Sequence, residues 1–274
     1  MFAKSLPTFL YLFQNMSTDA KTIHWYNENA KDYAAHVKNP ADSIYHAYYE
    51  KPAMAKLIPD LKGKQVLSLG CGSGEDSSAL KKLGAKRSVG IDIAKKLIKI
   101  AQANHADCEF HTMDMEQLDF SDEEFDFAYS SLALHYIENW TKVLHEVFRV
   151  LRPNSYFLFS CQHPLRSAMV ETRNTKNEYE KKISIIKDKR SGQFKIIGDY
   201  LHESKFEATI NKAMGVVGWH KPVSGIVNSA IDAGFLIDRL VEPQPLSTMK
   251  KVSSQTYERL NKIPEFMIVR LRKP

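Results

Sequence analysis

Val66-Leu67-Ser68-Leu69-Gly70-Cys71-Gly72-Ser73-Gly74-Glu75 is the stretch on which the fold turns. Val66 to Leu69 is a short apolar run that reads as a strand, glycines then occupy every second position, and Asp76 to Leu83 reads as a helix closed by Gly84. A strand that runs through glycines into a helix opens a ligand-binding α/β unit. Glycine lets the backbone turn sharply and approach a ligand with no Cβ in the way. The spacing also selects among ligands. A dinucleotide pyrophosphate favours G-x-G-x-x-G, but the third glycine's position holds Glu75, whose carboxylate would face the pyrophosphate at the helix start. The stretch therefore argues against NAD or FAD and for a ligand without phosphates.

Working outward, the strand–helix alternation continues. Val89 to Asp92 reads as a second strand, Ala94 to Ala103 as a helix, Cys108 to His111 as a third strand and Phe125 to Ser130 as a fourth. Val143, Leu144, Val147, Phe148 and Leu151 recur at helical spacing over Trp140–Leu151. Pro153 is expected to stop that helix, and Tyr156 to Phe159 forms a fifth strand. This rhythm implies a parallel sheet with helices on both faces. Residues 163–222 break it and read as an insertion capping the substrate side. The rhythm returns with helix Val223–Ala233, strand Phe235–Leu240 and a last strand over Phe266–Leu271. The chain thus divides into an extension (1–16, with Met16 as an alternative start), a helical cap rich in aromatics (17–62), a cofactor-binding core (63–162), the insertion (163–222) and the C-terminal part of the core sheet (223–274).

The composition excludes several classes. Charged residues make up 26% of the 274 residues and hydrophobic ones 43%, the balance of an ordinary globular protein. The net charge of +6 is spread along the chain, with an excess over Glu171–Lys195 that reads as a solvated surface loop or hairpin; no nucleic-acid partner is expected from charge alone. Cys71, Cys108 and Cys161 are too widely spaced for a zinc site or a disulfide framework, and no metal is expected. No apolar run reaches the ~18 residues of a membrane span. Leu6 to Phe13 is apolar but lacks a basic flank beyond Lys4 and a small-residue cleavage site, so a cytoplasmic protein is expected.

Two carboxylates join the glycine loop. Asp92 ends the second strand, where it can accept both hydroxyls of a ribose, and Asp114 follows the third, where it can accept an adenine amino group. Each alone reads as a turn or cap residue. Following successive parallel strands, they converge with the loop on the sheet edge where open α/β proteins bind ligands. In VLSLGCGSG, VGIDIA, HTMDMEQLDF, FDFAYSSLALHYIENW and EVFRVLRPNSYFLFS, in that order, the chain resembles the class I S-adenosylmethionine-dependent methyltransferases. Within them it is similar to the small-molecule branch that includes quinone-biosynthesis enzymes. The resemblance implies a Rossmann-like doubly wound sheet of seven strands with the last antiparallel, and S-adenosylmethionine as cofactor. It places Gly70, Cys71, Gly72 and Gly74 around the methionine portion, Asp92 with Ile93 at the ribose, and Asp114 with Met115 at the adenine. Ser131 and Leu132 fall on the sulfonium side, and Tyr33 covers the cofactor. Two positions depart from the family: Ser68 stands where an acidic residue is usual, and Asn154-Ser155 where a Gly-Gly turn is frequent.

Methyl transfer from a sulfonium needs alignment and exclusion of water more than acid–base machinery. Where a base helps, His135 with Tyr136 after the fourth strand is the candidate pair. His163, Trp219 and His220 are candidate acceptor-side residues, although a lone histidine is more often structural. Ser160 before Cys161, and Ser130-Ser131-Leu132-Ala133 in place of an Asn/Asp-Pro-Pro-aromatic motif, speak against nucleic-acid base methylation. The expected activity is methyl transfer to a small-molecule acceptor. The alternatives are an RNA or protein methyltransferase docking through the basic insertion, or a cofactor-binding regulator without turnover.

Overall fold

The structure is a computed structural model describing residues 17–173, 179–210 and 213–274. The expected extension 1–16, with Met16, lies outside the described residues.

The chain opens with α1 (Ala20–Glu28), whose first turn is capped by Asp19 accepting the Lys21 N–H, and α2 (Ala30–Lys38). A turn of π-helix over His46–Glu50 runs directly into α3 (Lys51–Ala55). The core then alternates β1 (Gln65–Leu69), α4 (Glu75–Lys82), β2 (Arg87–Asp92), α5 (Lys95–Asn104), β3 (Glu109–Thr112), β4 (Phe125–Ser131), α6 (Trp140–Val150) and β5 (Leu151–Gln162). The insertion contains α7 (Pro164–Ser167) and six strands in three antiparallel ribbons. These pair β6 (Val170–Arg173) with β7 (Tyr179–Lys182), β8 (Ser184–Lys187) with β9 (Phe194–Ile197), and β10 (Ser204–Ile210) with β11 (Ala213–His220). Helix α8 (Val223–Asp232), β12 (Leu236–Val241), α9 (Ser254–Leu260) and β13 (Phe266–Arg272) complete the chain.

The main sheet has seven strands in the order β12-β13-β5-β4-β1-β2-β3. β1 to β5 are mutually parallel, and β13 runs antiparallel to both β5 and β12. Alternation along the strands supplies two apolar faces. Leu67, Leu69, Val89 and Ile91 pack with α6 through Val143, Leu144 and Val147. Val66, Phe127 and Leu158 pack on the other side with Met54, Leu61 and Leu80. Each large aliphatic buried here contributes about 1.5–3 kcal/mol relative to exposure.

The junction of α6 and β5 corrects the expected boundaries. The helix ends at Val150 and the strand starts at once, passing through Pro153. The β4–β5 pairing jumps from Phe125–Leu151 to Phe127–Tyr156, so residues 152–155 bulge out and the proline, which has no N–H, interrupts no ladder bond. Asn154 adopts φ 61°, the left-handed conformation that asparagine tolerates, and its N–H donates to the Lys273 carbonyl.

The insertion is tied to the N-terminal cap. Thr22 Oγ1 donates to the Val217 carbonyl at 3.2 Å and accepts the Val217 N–H at 2.8 Å. Gly215 lies so close to Trp25 that a Cβ there would fall 2.4 Å from the indole. Lys21 pairs with Glu207 and Lys205 with Asp19. Among the described residues, no helix is long and apolar enough to cross a membrane.

Candidate active site

A cavity with about 590 Å³ of free space, its open mouth included, lies at the carboxyl edge of β1, β2 and β4. Its floor is the glycine loop. Gly70, Gly72 and Gly74 have φ of 64°, 55° and 92°, conformations that a side-chain-bearing residue enters only with strain. At Gly70 space is limiting as well, because a Cβ would fall 2.4 Å from the Ala133 Cβ. Gly74 begins α4, and a Cβ there would meet the Phe110 and His105 rings. It serves the packing of α4 and, unlike Gly70 and Gly72, is not on the cavity wall. Cys71 is buried beneath the loop among Ile98, Ala101 and Phe110 and is not on the wall either.

Asp92 closes the loop from the side. Its Oδ2 accepts the Gly72 N–H at 2.9 Å and its Oδ1 the Ala94 N–H at 2.8 Å. Burial pushes the carboxyl up from its ordinary value, against the pull of those N–H groups. Further donors from a ligand would satisfy it. Ile93, Asp114 and Met115 continue the wall, together with Leu97 and Met113. Asp114 Oδ1 accepts the Glu116 N–H at 3.0 Å, and burial raises this carboxyl too.

The opposite wall comes from the turn after β4. Leu132 has φ 50°, unusual for a branched side chain, and its N–H is held by both the carbonyl and the hydroxyl of Ser160, at 3.1 and 3.0 Å. A buried polar chain fixes this turn. Ser131 Oγ donates to Glu50 Oε1 at 3.0 Å, Ser160 Oγ donates to the same oxygen, and Lys51 Nζ donates to Ser131 Oγ at 2.8 Å and to Asp76 at 2.6 Å. Burial would raise the Glu50 carboxyl, but Lys51, His46 and the Ser160 hydroxyl hold it down at about 2. Ser68 shares the sheet face of its register partner Tyr129, over whose ring Lys51 Nζ sits at 5.6 Å. The charged side chains around Ser131 thus come from the π-turn, α3 and α4, where the family pattern draws one from β1.

Aromatic rings form the roof. Tyr33 and Tyr26 meet edge to face at 5.1 Å, Tyr26 and Tyr136 at 5.7 Å, and the Tyr26 hydroxyl donates to the Tyr136 hydroxyl at 3.1 Å. Burial raises the pKa of all three phenols, so they stay protonated at neutral pH. The His135 ring meets that of Tyr136 at a tilt of 45° with centroids 4.2 Å apart, but it is not on the cavity wall. Burial holds its imidazole down at about 4, and among the described residues its Nδ1 has no partner.

The other expected acceptor-side residues are placed outside the wall. His163 caps α7 by accepting the Leu165 N–H and contacts Glu242 at 3.0 Å. His220 bridges the Ser167 hydroxyl and the Tyr200 carbonyl. Trp219 lies under Lys205. Thr18, Thr22, Tyr26, Ala133 and Ile137 line the cavity without having been singled out in the sequence. Of these only Tyr26 carried a signal, as part of the aromatic run of the N-terminal cap.

A methyltransferase domain profile matches residues 67–159, the segment from β1 to β5 that builds the floor and most of the walls. A solved S-adenosylmethionine-dependent methyltransferase from Mesorhizobium loti superimposes with a TM-score of 0.67 at 26% identity, covering 85% of this chain and 99% of that one. The chain carries a class I S-adenosylmethionine-dependent methyltransferase domain. The methyltransferase is also 28% identical to an uncharacterized protein of Haemophilus influenzae over 82% of its own length and 87% of that protein's. Over 108 residues it is 37% identical to the phthiotriol/phenolphthiotriol dimycocerosates methyltransferase of Mycobacterium tuberculosis, of which the match spans 40%.

The residues present fit the cofactor of this class. Two glycines leave a cradle that a Cβ would fill, two half-buried carboxylates face a cavity with acceptor capacity to spare, and methionine and leucine side chains flank them. When bound, S-adenosylmethionine supplies an electrophilic methyl group on a sulfonium.

Proposed function

We infer that the methyltransferase transfers the methyl group of S-adenosylmethionine to a small-molecule acceptor, and that its residues act by alignment and desolvation, without a strong base. The observation that carries this reading is the single cavity wall joining Gly70, Gly72, Asp92 and Asp114 to Ser131, Leu132 and Tyr136. In it, Asp92 would accept the ribose hydroxyls, Asp114 with the Met115 backbone would take the adenine edge, and the loop N–H groups would hold the methionine carboxylate. Ser131 and Leu132 would bound the sulfonium side. The Tyr26–Tyr136 hydroxyl pair would orient the acceptor as neutral hydrogen-bonding groups, since both phenols are held in the protonated form. Cys161, pushed up to about 12 by burial, offers no nucleophile. A small, partly apolar acceptor accords with the cavity's aromatic roof.

The test is calorimetric titration with S-adenosylmethionine, its demethylated product and NAD, followed by turnover against a metabolite panel. NAD binding as tight as S-adenosylmethionine binding, or methylation of RNA or protein in preference to every small molecule, would overturn the reading.

A further inference from the structure

The ribbon β8–β9 turns an apolar face to solvent. Ile185 pairs with Ile196 and Lys187 with Phe194, so these four side chains share one face. Ile185 and Ile196 are each 71% exposed and Phe194 is 65% exposed. The ribbon's root is packed: Ile183 lies against Gly198, where a Cβ would fall 3.0 Å away. Charge surrounds the open face. Between positions 187 and 195 stand Lys187, Lys189, Arg190 and Lys195 against Asp188 alone, and the Asp188 carboxylate is engaged by the Arg190 and Ser191 N–H groups. Lys181 and Lys182, by contrast, are paired with Glu171 and Glu180.

We propose that this ribbon docks the protein peripherally on an anionic lipid surface. Ile185, Phe194 and Ile196 enter the boundary between headgroups and acyl chains, and Lys187 on the same face, with Lys189 and Arg190 in the turn, lies on the headgroup phosphates. A surface that combines protruding apolar side chains with a cationic rim matches that interface on both counts. Stacking on a second copy would cover the isoleucines but set two groups of three cations, Lys187, Lys189 and Arg190, against each other. A nucleic acid would satisfy the cations but leave Ile185 and Ile196 in water. The insertion that carries the ribbon leaves the sheet at Gln162, the carboxyl end of β5, and the cavity lies on that same edge.

The experiment is co-sedimentation of the full-length protein with phosphatidylcholine vesicles prepared with and without phosphatidylglycerol. Binding is expected only to the anionic vesicles and should weaken as salt rises. One cation near such a surface changes partitioning about fivefold, so the triple variant Lys187→Gln/Lys189→Gln/Arg190→Gln should lose roughly 100-fold. Ile185→Ser/Ile196→Ser, which keeps the charge, should lose about tenfold or more. Both variants should bind S-adenosylmethionine as the parent does, which shows that they are folded. Absence of binding to anionic vesicles at low salt, or binding that neither variant weakens, overturns the proposal. So does tighter binding to an oligonucleotide than to the vesicles, or a self-associated species that the serine variant dissolves.

Discussion

The Ser160 hydroxyl donates to Glu50 Oε1 at 2.6 Å where neither side chain is reached by solvent. The same hydroxyl accepts the N–H of Leu132, so an ionised side chain from the N-terminal cap determines the shape of the cavity wall one bond away. Breaking a buried ionic arrangement by neutralising one member costs on the order of 3–5 kcal/mol. Glu50→Gln should therefore lower unfolding free energy by about 3 kcal/mol, and Ser160→Ala by about 1–3 kcal/mol, measured by urea denaturation. Wild-type stability in Glu50→Gln would mean that the network contributes no net energy.

Asp92 has two tasks that a substitution can separate. Asp92→Asn keeps one accepting oxygen for the loop but loses the charge that ribose hydroxyls would meet. Its stability should fall by only about 1 kcal/mol, while the cofactor dissociation constant rises roughly 10- to 150-fold, equivalent to about 1.5–3 kcal/mol. Calorimetry on the folded variant decides: an unchanged constant would confine Asp92 to holding Gly72 and Ala94.

Gly70 and Gly63 form a matched pair for the loop. Both have positive φ, 64° and 72°, yet a Cβ at Gly63 meets nothing within 4 Å while one at Gly70 strikes Ala133. Gly63→Ala should cost about 1 kcal/mol from backbone conformation alone. Gly70→Ala adds a steric clash of about 1–3 kcal/mol and should abolish tight cofactor binding. Thermal melts and titrations of the two variants side by side measure the difference.

His135 gives stability a pH dependence. Its folded value of about 4 lies below the ordinary 6.5 because burial disfavours the charged ring. In that interval the unfolded chain binds more protons than the folded one. The contribution is therefore complete above pH 6.5 and is lost as pH falls toward 4, amounting to roughly 2 kcal/mol between pH 7 and 5. His135→Asn should flatten the curve of Tm against pH over this range. With an acceptor in hand, the same variant should retain most of its turnover, since the ring lies off the cavity wall; a rate loss of ~10²–10⁴-fold at unchanged cofactor affinity would instead make it a general base.

The seven strands were legible because most of them, β1, β4, β5 and β13 above all, are rich in apolar residues, because helical stretches separate them, and because Asp92 and Asp114 follow strands whose order brings them together. Tyr33, Gly70, Gly72, Ser131, Leu132 and Tyr136 line one cavity. What was not legible is long-range. Glu50 and Lys51 drew no attention in the sequence, since nothing local shows that Ser131 and Ser160, the partners of Glu50, lie 81 and 110 positions away. His163 and His220 looked available for chemistry because their partners, the Leu165 N–H and the Tyr200 carbonyl, are backbone groups that composition does not display. Thr22 gave no signal for the same reason. The charged stretch after β5 was expected as a loop or hairpin, and short strands of mixed polarity there concealed separate ribbons.

The bond between Thr22 and Val217 also fixes an order of events at the ribosome. Val217 is made 195 residues after Thr22, and the strands from β1 to β5 are complete by Gln162. The parallel layer can collapse while the chain is still being extended, but α1 must wait with its inner face uncovered until β11 emerges. A chain stalled between these points would hold the glycine loop, both carboxylates and the roof tyrosines, but with the helix that carries Tyr26 not yet held down by β11. Competence to retain a ligand is thus acquired late in synthesis, when the beginning of the chain is closed over by a segment made near its end.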